Sequence, residues 1–122
     1  MPMDGFTLSF LERELGEALT GGRVERVSQP ERDALILTVR NRGRNRKLLL
    51  SANANQARAQ LTAQAYENPA EPPMYCMLLR KHLQGAYIRQ IRQWKGDRVL
   101  RLTFDCVGEL GDPVTKTLAL EI

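Results

Sequence analysis

Apolar and polar positions follow two different rhythms along this chain, and each change of rhythm marks an element. Leu8, Leu11, Leu15, Ala18 and Leu19 recur at the spacing of one helical face, which predicts a helix over about residues 6–19. Asp4 is placed to cap it and Gly21-Gly22 to stop it. The rhythm then shortens to two. Arg23–Ser28 reads as a strand closed by Gln29-Pro30, and Ala34–Arg40 sets Leu35, Leu37 and Val39 against Ile36, Thr38 and Arg40. Asn41–Asn45 is a turn containing Gly43, and Lys47–Ala52 returns as the partner strand. Asn53–Glu71 has no clear period and reads as a long connection, in which only Ala57–Leu61 has an extended pattern.

A second helix is predicted over about Pro73–Leu83. Pro73 suits the first helical position, Arg80, Lys81 and His82 complement the dipole in the last turn, and Gly85 supplies a stop. Met74, Met77 and Leu78 are expected to pack into the core. Ile88, Ile91 and Trp94 recur every three residues, but the next segment pairs back as a hairpin, so a strand with a bulge is predicted there. Lys95-Gly96-Asp97-Arg98 is its turn, and Leu100, Leu102, Phe104 and Cys106 alternate along the return. After a turn at Gly108–Pro113, Val114, Leu118, Leu120 and Ile122 mark a last strand that is still alternating at the end of the sequence, as in a piece of a longer protein. The predicted fold class is α+β: an antiparallel β-sandwich of about six strands with two flanking helices.

At 122 residues and 43% apolar content the chain reads as one domain. It holds no apolar run long enough for a bilayer and no signal-peptide layout, so the cytoplasm is expected. The two cysteines, Cys76 and Cys106, are far apart and the histidine is single, too few for a four-ligand zinc site. Buried free thiols, no metal and no cofactor are expected. The net charge of +4 is weak information, but its distribution is not: Arg40, Arg42, Arg44, Arg46 and Lys47 fall within eight residues that contain no acid. Such a cluster makes a local field suited to the phosphates of a nucleic acid.

Catalytic constellations are sparse. Gly21-Gly22 lacks the lysine and spacing of a phosphate loop, and His82 stands beside two cations with no triad to join. Glu12/Glu14 and Glu109/Asp112 read as solvated pairs. Asp97-Arg98 admits two readings, hairpin chemistry or a contact to phosphate and base edges. Pro2, as an N-terminal secondary amine, has the chemistry to attack a sugar C1′ as in the formamidopyrimidine-DNA glycosylases. In that family an acidic residue follows the proline, whereas here Met3 does.

Several strings taken together resemble one family. They are Met3-Asp4-Gly5, Gly21-Gly22-Arg23, Gln29-Pro30, Leu48-Leu49-Leu50-Ser51-Ala52-Asn53, Asn68-Pro69, the run Glu71–Leu83, Gly96-Asp97-Arg98 and Glu109-Leu110-Gly111-Asp112-Pro113. In this order they resemble the N-terminal (NFACT-N) domain of the NFACT ribosome-quality-control proteins, in bacteria the RqcH or fibronectin-binding protein A-like proteins. The resemblance covers essentially the whole chain. It implies a fold similar to the N-terminal domain of the formamidopyrimidine-DNA glycosylases, without their chemistry. It also implies a module that binds tRNA, with alanine tRNA suspected, and the large ribosomal subunit carrying peptidyl-tRNA. Such a module supports C-terminal alanine tailing of stalled nascent chains, with the ribosome supplying the catalytic centre. By the resemblance Asp97 and Arg98 are the tRNA-binding pair. By their charge Arg40, Arg42, Arg44, Arg46, Lys47, Arg80 and Lys81 are candidate RNA-backbone contacts, with a solvated face as the alternative for the hairpin cluster. An exposed last strand would let the fragment dimerise. Two other classes stand beside this reading: a DNA lyase acting through Pro2, and a fibronectin-binding surface adhesin, against which the absent secretion signal counts.

Overall fold

The computed structural model describes residues 5–52, 58–63, 66–93 and 99–121, the side chains of residues 5–11 and 58 excepted. In chain order it contains α1 (Gly5–Leu19), β1 (Arg23–Glu31), β2 (Ala34–Asn41), β3 (Arg44–Ser51), β4 (Arg58–Thr62), α2 (Met74–Leu83), β5 (Tyr87–Gln93), β6 (Val99–Val107) and β7 (Pro113–Glu121). The fold is α+β, as expected. The sandwich is corrected: all seven strands belong to one antiparallel sheet, in the order β4-β3-β2-β1-β5-β6-β7.

The seam between β1 and β5 explains why the pattern reads as two layers. Only Arg23 and Tyr87 pair there, helped by backbone bonds of 2.8 Å from Val24 N–H to the Ala86 carbonyl and from Ile88 N–H to the Gly22 carbonyl. Beyond Val24 the two strands part and α2 covers the open edge of β1. Arg80 Nε donates to the Val27 carbonyl at 2.8 Å, and the Cys76 thiol lies 3.7 Å from the same oxygen. An acceptor that a neighbouring strand would otherwise satisfy is thus satisfied by a helix. The β5–β7 half then folds back over the first, because one core joins Leu37, Leu48 and Leu50 to Leu100, Leu102 and Phe104. Leu15 and Leu19 of α1, both fully buried, belong to the same core.

The seventh strand, β4, lies inside the expected long connection. Among its described side chains only that of Ala59 is fully buried, and pairing with Lys47–Ser51 holds it in place. The bulge foreseen in β5 is present between Ile88 and Gln90. β7 is an edge strand.

Helix α2 requires a second correction. Met74, Met77 and Leu78, expected in the core, are 86%, 57% and 50% exposed. The buried stripe is Cys76, Leu79 and Leu83. Pro73 stands one position earlier than predicted, as the N-cap at φ −57.

Candidate nucleic-acid interface

β2 and β3 form a hairpin with eight consecutive pairs, from Ala34↔Ser51 to Asn41↔Arg44. Its two central residues, Arg42 and Gly43, have φ of 52 and 77, the signs of a type I′ turn. Gly43 adopts this conformation freely, whereas Arg42 does so against the clash of its Cβ with the following carbonyl. Asn41 Nδ2 donates to the Ala18 carbonyl at 2.9 Å and the Thr20 carbonyl at 3.4 Å, tying the hairpin to the end of α1.

Alternation distributes the cluster over two faces. Arg44 and Arg46 point with Leu48 and Leu50 toward the core side, where with Arg42 they ring a hollow beside Glu17 and Ala18. The negative end of the α1 dipole and the Glu17 carboxylate lie there, which offsets part of their charge. Arg40 and Lys47 stand on the outer face, where Arg40 Nη1 reaches Asn45 Oδ1 at 3.5 Å. Arg26 joins them from β1. Arg23 and Arg89 are engaged elsewhere, with Glu25 at 2.9 Å and Asp105 at 3.5 Å.

Two features bear on chemistry. Burial pushes the Cys106 thiol up; Lys116 opposes the rise and Asp105 adds to it. Cys76 and Cys106 are both free and buried, as expected. Among the described residues no cluster of three or more histidine, cysteine or acidic side chains is placed to hold a metal ion, and no helix is long and apolar enough to cross a membrane.

Residues 4–122 match the family described as NFACT N-terminal and middle domains. The chain belongs to that family. It is 43% identical over 122 residues to the Rqc2 homolog RqcH of Bacillus subtilis (strain 168), which covers 100% of this chain and 21% of that protein. It is 41% identical to the Rqc2 homolog RqcH of Streptococcus suis (strain 05ZYH33), again over 100% of this chain and 22% of the other. The chain thus spans about a fifth of the length of these relatives. Among solved structures it superposes on the N-terminal domain of the fibronectin-binding protein PavA from Streptococcus pneumoniae with TM-score 0.93 at 41% identity, over 98% of this chain and 45% of that one. The N-terminal part of the fibronectin/fibrinogen-binding protein of Streptococcus suis gives 0.94 at 41% identity, with the same coverage.

In this NFACT N-terminal chain Asp97 and Arg98 lie outside the described residues, as do Pro2 and Met3. The stem that carries Asp97 and Arg98 is described. Gln93 pairs with Leu100, and the Gln93 N–H donates to the half-buried Glu12 carboxylate of α1. Glu12 is therefore an anchor, which corrects its reading as a solvated acid. Arg80 is half-buried with its Nε committed to Val27, while Lys81 is exposed. His82 Nδ1 meets the Lys116 ammonium at 2.9 Å. The composition drew attention to the hairpin but missed Arg26, because its partners across the sheet become visible only in the register.

Proposed function

We propose that this chain is the RNA-binding N-terminal module of a cytoplasmic ribosome quality control factor. It engages tRNA and the large ribosomal subunit and positions tRNA for C-terminal alanine tailing of a stalled nascent chain. The observation that carries this reading is the family match over residues 4–122, joined to 41–43% identity with RqcH proteins. The cations on the β2–β3 hairpin and the outer face support it, since phosphate contacts supply most nucleic-acid affinity. The module brings binding and position; the peptidyl-transferase chemistry belongs to the ribosome.

The test is titration of the chain with labelled tRNA across a salt series. Binding is expected to weaken steeply with salt, and Asp97→Ala with Arg98→Ala to weaken it further while leaving the melting curve unchanged. An unaltered chain that shows no salt-sensitive tRNA binding sinks the proposal. The names of the solved neighbours favour a second reading, fibronectin binding. Capture on immobilised fibronectin in the absence of any tRNA binding would establish that reading instead. Borohydride trapping on abasic DNA is expected to give no adduct through Pro2.

A further inference from the structure

On the outer face of the sheet, away from the shared core, Arg26, Thr38 and Lys47 stand abreast in register on β1, β2 and β3. The two cations are two strand spacings apart, roughly 10 Å, so both reach a group seated over Thr38. Tyr66 crosses this face and packs on Ile36 and Leu49. Arg26, Ser28, Thr38, Lys47, Tyr66 and Asn68 together line a recess of about 140 Å³. That is the volume of about four to five waters, room for one planar ring or one phosphate group. Among the described residues neither Arg26 nor Lys47 has an ion-pair partner.

We propose that this recess and the open face beside it form a subsite for one unstacked nucleotide of RNA. Its base lies against the Tyr66 ring with its edge toward the Asn68 amide, and its phosphate sits over Thr38 between Arg26 and Lys47. Arg40, two residues nearer the hairpin tip on the same face, carries the backbone on toward Arg42. An aromatic platform beside paired cations is how single-stranded nucleic acid is held. The stacked bases of a duplex cannot reach such a platform, so the ligand is a loop or an unpaired end. The proposal deepens the RNA-binding reading above and rests on it.

The chain is titrated with a short fluorescein-labelled single-stranded RNA over a salt series, beside Arg26→Gln, Lys47→Gln, Tyr66→Leu and Tyr66→Phe. Tyr66→Leu keeps the packing on Ile36 and removes the ring, so affinity is expected to fall roughly five- to 150-fold with the salt slope unchanged. Each lost cation is expected to reduce that slope by roughly 0.7. Tyr66→Phe is expected to bind as the unaltered chain does. In the unaltered chain, the Thr38 and Lys47 amide resonances are expected to shift on RNA addition, a readout that needs no variant. A Tyr66→Leu chain with native melting and undiminished affinity overturns the subsite, as do unmoved Thr38 and Lys47 amides. If tRNA still binds in either case, the subsite alone fails. If the unaltered chain binds no tRNA, the broader reading fails first.

Discussion

Arg42 holds a backbone conformation its side chain disfavours, and it does so at the tip of the cationic hairpin. A non-glycine residue at positive φ costs roughly 1 kcal/mol or more, and asparagine relieves part of it with local hydrogen bonds. Arg42→Asn is therefore expected to raise stability by about 0.5–1 kcal/mol in a urea melt. The same change removes one tip cation, so tRNA affinity is expected to fall. Affinity and stability rising together would show that the strained arginine serves no binding role. Cys106 gives a second test at this scale. Its thiol is raised by burial, so the folded chain keeps a proton that the unfolded chain releases above its ordinary value of about pH 9. Stability contributed by this group is complete below that pH and declines as pH rises toward the folded value. Cys106→Val is expected to flatten the decline relative to the unaltered chain in melts between neutral and alkaline pH. Two parallel profiles would remove Cys106 from the account.

At the scale of elements, α2 shows what periodicity alone can decide. Met74, Met77 and Leu78 share one helical stripe and Cys76, Leu79 and Leu83 another, each at a helical spacing. Both stripes are apolar, so the sequence identified the helix but not its buried side. Arg80 decides it: its Nε reaches the β1 carbonyl that the absent strand pairing leaves open, and this orients Leu79 inward. Leu79→Ala is expected to cost about 2–5 kcal/mol, and Met77→Ala less than about 0.5 kcal/mol, by chemical denaturation. Comparable losses at both positions would contradict the burial assigned to the helix. The Arg26 recess was hidden for a related reason. Strict alternation places Arg26 on the face of Val24, and only the bulge between them turns it outward beside Thr38 and Lys47. The hairpin cations were legible because they are adjacent in sequence. The recess was not, because it depends on a register shift and on Tyr66 arriving from a connection without periodicity.

Across the whole molecule, the predicted sandwich and the observed sheet differ at one junction. Alternation correctly assigned an inner face to β2 and β6, because Leu37 and Phe104 lie in the core. It carried no information on whether β1 and β5 touch, since that contact is a single pair beside Gly21 and Gly22. Gly22 permits it: a Cβ there would lie 2.5 Å from Val39 Cγ1. Narrow as this seam is, the two halves are expected to unfold together, because neither has a complete core alone. Phe104 comes from the second half and is fully buried in the core shared with the first. Phe104→Ala is expected to cost about 3–5 kcal/mol and to lower protection throughout, not only in β5–β7. Native-state hydrogen exchange provides the check. The slowest amides of β2 and β6 are expected to open with the same free energy, and the substitution to reduce both equally. Amides of β6 that open well below those of β2, or a Phe104→Ala effect confined to β5–β7, would mean that the seam divides two independent units.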